Sequence, residues 1–149
     1  MKLKVVISIA GIIVAATVPG LAADEGRGRE AAAASVVVRQ VTSSSTTTAG
    51  DPVVLPQKDA QVVVSMFEIP AGAKLPVHKH PYPRYGYVLK GALQVANTET
   101  GKTDVFKEGD FILESVGHWH QGRNVGQAPT KLLVIDLVEK GANNTVLKD

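Results

Sequence analysis

Hydrophobic and polar positions alternate over short segments along most of the chain. From residue 53 onward, stretches rich in Val, Ile, Leu and aromatic residues are separated by turns that contain Gly or Pro. The pattern predicts strands over Gln61–Ile69, Tyr85–Leu89, Ala92–Asn97, Thr103–Phe106, Phe111–Leu113 and Lys131–Val138. Short strands spaced about ten residues apart are typical of an all-β sandwich or barrel. No segment of this region shows the 3.6-residue apolar period of an amphipathic helix.

The first 23 residues have a different pattern, that of a secretory signal peptide. Two lysines precede the apolar stretch Val5–Val18, and Pro19-Gly20 then leads to the small residues Ala22 and Ala23. The apolar stretch is shorter than the roughly 20 residues that span a bilayer. We therefore expect cleavage after Ala22 or Ala23 rather than an uncleaved membrane anchor, no stable membrane span afterwards, and a periplasmic or secreted protein.

Residues 24–50 are predicted to be a low-complexity tether. The run of alanines at 31–34 and the run of hydroxyl residues at 43–48 bury too little apolar surface to offset the entropy of ordering. An edge strand formed by Val36–Val38 and Val41 is an open alternative. The expected organisation is a signal peptide at 1–23, the tether at 24–50, a β-barrel domain at 51–141 and a polar tail at 142–149.

Composition and charge narrow the function classes. A chain of 149 residues favours one domain. Cysteine is absent, which excludes disulfides, thiolate metal sites and a cysteine nucleophile. The net charge is +2, and Lys2 and Lys4 of the leader account for it, so the remainder is balanced. A nucleic-acid partner is not expected, because nucleic-acid-binding domains carry a basic excess.

The four histidines of the chain form two pairs, His78/His80 and His118/His120. Residues at i and i+2 of an extended segment project to the same face. Neutral imidazole is a common ligand of divalent transition metals. Two such pairs between β-strands favour one shared metal site over the alternative, in which each pair is merely a surface turn.

Residues at fixed spacings around these histidines carry a family resemblance. One group contains Gly72, His78, His80 and Gly91, and the other contains Gly109, Gly117, His120 and Asn124, with Ser115 where a proline is expected. These spacings resemble the two motifs of the cupin superfamily. The resemblance implies a small jelly-roll-type β-barrel with a divalent metal inside its mouth, held by His78, His80 and His120.

One position departs from the family pattern. Arg84 stands where the first motif has a glutamate ligand, and a guanidinium cannot ligate a cation. We expect Arg84 either to orient an anionic ligand at the metal or to point outward into solvent. Glu114 is a nearby carboxylate that can serve as a replacement ligand or as a base. For His118, the roles of fourth ligand, proton-transfer residue and rim residue all stay open.

The function expected from the resemblance is a mononuclear metal centre that acts as a dioxygenase-like oxidoreductase on a small anionic substrate. Iron is the first candidate metal, followed by manganese, nickel, copper and zinc. The alternatives are a non-catalytic module that binds a metal or small ligand, and a structural role with vestigial histidines. Both faces of the first and last predicted strands are apolar, which predicts a homodimer formed by sheet packing.

Overall fold

Nine β-strands and no helix occur in residues 36–149, the part of the chain that the computed structural model describes. In chain order they are β1 (Ala60–Ile69), β2 (His78–Lys79), β3 (Arg84–Lys90), β4 (Ala92–Asn97), β5 (Thr103–Lys107), β6 (Phe111–Leu113), β7 (His120–Asn124), β8 (Thr130–Glu139) and β9 (Val146–Leu147). Val38–Asp149 form one compact unit. The predicted signal peptide and residues 24–35 of the predicted tether lie outside the described residues. Within those residues, nothing helical is long and apolar enough to cross a membrane.

The strands form two antiparallel sheets that face each other in a jelly-roll-type barrel. One sheet has the order β1-β8-β3-β6 and the other has the order β5-β4-β7-β2-β9. The all-β prediction is confirmed, and each segment predicted to be a strand is one. The alternation of apolar residues did not reveal β2, β7 or β9, because β2 and β7 consist mainly of polar residues.

The core lies between the two sheets and is built from inward-facing aliphatic residues. Its buried members are Ile69, Val88, Leu93, Ile112, Leu132 and Val134, and Phe67, Leu75, Val95 and Phe106 pack against them. On β3, burial alternates, so Arg84, Gly86 and Val88 face inward. Gly86 is paired with Ile112 of β6, and a Cβ atom at Gly86 would lie 3.4 Å from the Ile112 side chain.

The chain segment before β1 contacts the barrel in a loop over residues 45–53, which we call the strap. Within it Thr46 and Pro52 form an antiparallel bridge, and the Thr48 amide donates to the Leu113 carbonyl at 2.9 Å. The Lys102 ammonium donates to the Thr48 carbonyl at 3.0 Å. The edge-strand alternative for Val36–Val38 and Val41 is wrong, because these residues are exposed and belong to no strand.

The segment 142–149, predicted to be a polar tail, instead joins the five-stranded sheet. Val146 and Leu147 of β9 pair with Lys79 and His78 of β2. Asn144, just before β9, is only 5% exposed. The C-terminal residues therefore adjoin the strand that carries the first histidine pair.

Gly91 is the glycine on which the tight β3–β4 turn depends. Its φ is +86°, and a Cβ atom there would lie 2.8 Å from Thr130 Oγ1 and 3.1 Å from Thr130 Cα. We expect Gly91→Ala to lower the free energy of unfolding by about 2–4 kcal/mol, because the left-handed conformation and the overpacking both oppose a methyl group. Denaturant unfolding checks this.

Gly101→Ala is the matched control, because Gly101 has a φ of +76° but open space around its Cβ position. The control should lose only the conformational part, about 1–2 kcal/mol. Equal losses in the two variants would contradict the close approach of Gly91 to Thr130.

Candidate metal centre

His78, His80, His120 and Glu114 converge inside the barrel. One ligand atom from each residue lies within 4.8 Å of the others. The pairing of the strands explains this convergence. His78 of β2 is directly opposite His120 of β7, and His80 follows two positions after His78 on the same face. The three imidazole centroids are consequently only 4.5 to 4.9 Å apart.

Glu114 enters the cluster from the strand that adjoins β3. The β3–β6 ladder pairs Tyr85 with Leu113, and the Glu114 amide then donates to the Arg84 carbonyl at 3.0 Å. Ile112 faces the core and Leu113 faces the other way, so Glu114, the next residue, points inward again. Its Oε2 lies 3.0 Å from Nε2 of His80 and 3.2 Å from Nε2 of His120. The sequence left the role of Glu114 open between ligand and base, and the structure brings its carboxylate into the histidine cluster.

Each of the three imidazoles is oriented by a backbone carbonyl. Nδ1 contacts the carbonyl of Pro76 at 2.8 Å in His78, of Asn144 at 2.6 Å in His80, and of His118 at 2.9 Å in His120. A carbonyl oxygen only accepts hydrogen bonds, so the Nδ1 proton must be the donor in each case. In the neutral form, each imidazole therefore presents its Nε2 lone pair.

The free lone pairs point toward one another. Nε2 of His80 and Nε2 of His120 are 3.2 Å apart, and the Glu114 carboxylate lies within 3.2 Å of both. Three nitrogen lone pairs and one carboxylate oxygen in a buried space repel one another unless a cation or protons lie between them. Backbone carbonyls that fix the distal nitrogen are typical partners of metal-bound histidines. The donor set therefore fits a divalent transition metal.

The electrostatics of the cluster follow from burial and from Glu114. Burial opposes the charged form of Glu114, but hydrogen bonds from His120 and His80, which form when Nε2 carries a proton in place of a metal, outweigh burial and hold the pKa of that carboxyl well below its usual range. Burial also disfavours protonated His120, yet the hydrogen bond and charge of Glu114 prevail and raise the His120 pKa. The pKa of His78 is lowered, mainly by burial. Glu114 is thus an anion that attracts positive charge to its imidazole neighbours.

Arg84 faces inward, one of the two orientations that the sequence left open. It is 8% exposed and lies directly opposite Asp136 of β8. Nε donates to Asp136 Oδ1 at 2.7 Å, and Nη2 donates to Asp136 Oδ2 at 3.0 Å and to Thr145 Oγ1 at 3.3 Å. The charge of Arg84 is therefore balanced by a buried carboxylate, and only part of the guanidinium is available to another anion.

His118 lies on the rim. Its side chain is 39% exposed, with Nδ1 at 2.9 Å from Glu99 and Nε2 at 3.0 Å from Asp51 of the strap. The hydrogen bond with Glu99 is the main cause of a raised His118 pKa, with Asp51 adding to it. Both ring nitrogens are engaged with acids outside the cluster, so the structure favours the rim position among the three alternatives.

The cluster borders a narrow lumen of about 20 Å³. The remaining lining residues are Phe67, Leu75, Arg84, Leu93, Val95, Gly122, Leu132 and Val134. A wider outer cavity of about 160 Å³ shares His78, Arg84, Phe67 and Leu75 with the lumen and is bounded by Pro76, Thr145 and Leu147. A third cavity of about 260 Å³ reaches His120 from beneath the strap. The candidate ligand atoms are thus bordered by two openings, an apolar one beside β9 at His78 and a wider one beneath the strap at His120.

Two residues near the cluster were not found from the sequence. Asp136 is the single acid within the apolar segment Lys131–Val138, and that isolation is a usable signal of a buried partner. Asn144 lies in a polar segment near the C-terminus and gives no local signal of its burial. Its carbonyl nevertheless orients His80.

Residues 65–136 match the family model described as a cupin domain. Together with the barrel topology, this match shows that the chain carries a cupin domain, as the two motifs predicted. No curated protein sequence matches the chain.

Several solved structures share the fold. A protein from Bacillus halodurans is 24% identical, with 60% of this chain and 70% of that chain covered and a TM-score of 0.50. The polyketide cyclase RemF from Streptomyces resistomycificus is 22% identical, with 62% and 65% covered and a TM-score of 0.51. The DMSP lyase DddQ from Ruegeria pomeroyi is 24% identical, with 66% and 47% covered and a TM-score of 0.51. At these identities the likeness concerns the fold, and this chain spans only about half of the lyase.

The contribution of Glu114 is testable by removing its charge alone. We expect Glu114→Gln to weaken Zn²⁺ binding at least tenfold, because an amide oxygen is a poorer ligand than a carboxylate and leaves three neutral nitrogens to hold the cation. Competition with a chromogenic chelator measures the affinity. Glu108→Gln, at an exposed turn residue, is the control and should bind as the wild type does. Equal affinities in the two variants would remove Glu114 from the ligand set.

Proposed function

We propose that this protein is a metal-dependent cupin enzyme, a dioxygenase-like oxidoreductase that acts on a small anionic substrate. The observation that carries the proposal is the convergence of three Nε2 lone pairs and the Glu114 carboxylate, with every Nδ1 proton held by a backbone carbonyl. His78, His80, His120 and Glu114 would hold the metal. Iron is the first candidate because three imidazoles and one carboxylate suit it, and manganese, nickel, copper and zinc suit the same donors.

A bound divalent ion would polarise a substrate oxygen, and a redox-active ion such as iron would also supply electron transfer with dioxygen. The chain itself contributes the mostly apolar lumen beside the histidine cluster. Four side chains leave part of a six-coordinate ion open, and the lumen beside them is lined by aliphatic residues and Phe67. This lining excludes bulk water and strengthens electrostatic interactions within the site.

The charge balance supports an anionic substrate. Glu114 offsets one of the two charges of a divalent ion, and Arg84 is neutralised by Asp136. The occupied site would keep one uncompensated positive charge in a buried space, which a monoanion would neutralise. Arg84 borders both the lumen and the outer cavity. We propose that the part of its guanidinium not bound to Asp136 orients the anionic group there.

The small lumen favours one alternative, a module that binds a metal or small ligand without turnover. About 20 Å³ accommodates little more than one water-sized group. Apart from the cluster and Arg84, the lining residues are apolar or glycine, so none of them can act as a general acid or base. A catalytic role therefore depends on the metal and on substrates whose bulk stays in the outer cavity.

Metal content and oxygen uptake distinguish these functions. We expect the untagged chain to bind close to one equivalent of Fe²⁺ and to consume dioxygen with some member of a panel of small carboxylates and enolisable diketones. His120→Ala should lose both properties because it removes one ligand, whereas His118→Ala should keep both because His118 lies on the rim. Elemental analysis and an oxygen electrode provide the measurements.

Stoichiometric metal without oxygen uptake for any member of the panel would favour the binding module. Absence of bound metal from the wild-type chain after reconstitution would contradict both functions.

We further propose that the protein is a homodimer. The outer face of the four-stranded sheet exposes Val62, Val64 and Met66 of β1 by 58 to 61%, beside the outward-facing Leu133, Ile135 and Leu137 of β8. A continuous apolar sheet face of this kind is typical of an interaction surface. A second copy of the same sheet matches it in shape and polarity. From the leader sequence we also propose that the protein is exported, to the periplasm or out of the cell.

Light scattering coupled to size-exclusion chromatography tests the dimer. We expect the wild-type chain to elute with twice the monomer mass and Val64→Asp to elute with the monomer mass, because the new charge would be buried at the interface. Val105→Asp is the control, since Val105 is 48% exposed on β5 of the other sheet. A monomeric wild-type chain would contradict the proposal.

A further inference from the structure

Asn144 connects the C-terminal segment to the histidine cluster through three strong hydrogen bonds. Its carbonyl accepts from His80 Nδ1 at 2.6 Å. Its side-chain Nδ2 donates to Asp136 Oδ1 at 2.6 Å, and its Oδ1 accepts from the Tyr82 amide at 2.8 Å. The residue is 5% exposed, so water does not compete for these bonds.

The side chain of Asn144 fixes the position of its own carbonyl. The amide is held on one side by β8, through Asp136, and on the other by the β2–β3 connection, through Tyr82. The side-chain amide has separate donor and acceptor atoms, so it donates to the carboxylate and accepts from the backbone N–H at once. An aspartate would place a second carboxylate at hydrogen-bond distance from Asp136. An alanine would leave the Tyr82 amide without its acceptor and Asp136 with Arg84 as its remaining donor.

The same network includes the residue that departs from the cupin motif. Asp136 Oδ1 accepts from Asn144 Nδ2 and also from Arg84 Nε at 2.7 Å. Arg84 is thereby connected through Asp136 and Asn144 to His80. The arginine at the position of the family carboxylate thus supports a histidine of the cluster through two intermediates.

We propose that Asn144 is a positioning residue of the metal centre, which holds the His80 proton on Nδ1 and aims Nε2 at the metal. This inference rests on the metal binding proposed above. The segment 142–149 then belongs to the metal centre, because its only buried polar side chain sets the orientation of one ligand.

Asn144→Ala tests the inference, with Asn143→Ala as the matched control. Asn143 is the exposed neighbour, and its side chain accepts from the Thr145 amide at 3.1 Å, within its own segment and away from the cluster. We expect Asn144→Ala to weaken Zn²⁺ binding ten- to hundredfold, as found for partners that orient metal ligands, while Asn143→Ala binds as the wild type does. Chelator competition measures the affinity.

A second measurement does not depend on metal. In the metal-free wild-type chain the His80 Nδ1 proton should be protected from exchange and visible by NMR, and in Asn144→Ala it should exchange fast. A loss of thermal stability with unchanged zinc affinity and an unchanged Nδ1 proton would overturn the positioning role. If the wild-type chain binds no zinc, the proposed function fails, and the Nδ1 proton alone then decides whether Asn144 orients His80.

If Asn144→Ala does not fold, Asn144→Asp replaces it. This variant keeps the size of the side chain and the backbone carbonyl, but its carboxylate repels that of Asp136. It should therefore weaken zinc binding and speed the exchange of the His80 Nδ1 proton. Wild-type values for both in a folded Asn144→Asp chain would overturn the inference.

Discussion

The site depends on one constraint, the mutual repulsion of imidazole lone pairs and a carboxylate that are buried together in the low-dielectric interior of the barrel. Three imidazoles donate their Nδ1 protons to backbone carbonyls, and their Nε2 atoms are left facing one another and the Glu114 carboxylate. Such an arrangement is costly to bury unless positive charge occupies its centre. The strands that carry it are short and polar, and they persist because core strands such as β3 and β8 hold the barrel around them.

Arg84 stands at the position of the cupin-motif glutamate, and Glu114 lies beside it across the β3–β6 ladder, so a carboxylate still reaches the histidine cluster. The two residues continue one ladder of β3 and β6, and adjacent strands are only about 4.8 Å apart. A carboxylate on the neighbouring strand therefore reaches the same space as a carboxylate at position 84. The buried charge of Arg84 is neutralised by Asp136, which lies directly opposite it on β8.

Much of the fold could be predicted from the sequence, because the long strands alternate apolar and polar residues and end at Gly or Pro. The histidine cluster was predicted from the motif spacings and from the His78/His80 pair, whereas of the second pair only His120 joins it and His118 lies on the rim. Glu114 could not be assigned, since its direction depends on the register between β3 and β6, which local sequence does not encode. Asn144 was assigned to a polar tail because its burial depends on contacts with residues 62 and 64 positions away along the chain.

We propose that His78, His80, His120 and Glu114 bind one metal ion, and anomalous diffraction from crystals of the zinc-loaded protein would locate it. We predict a single anomalous peak roughly 2.0–2.2 Å from Nε2 of each histidine and from a carboxylate oxygen of Glu114. A peak elsewhere on the protein, or a peak at the histidines with Glu114 turned away from it, would contradict this ligand set.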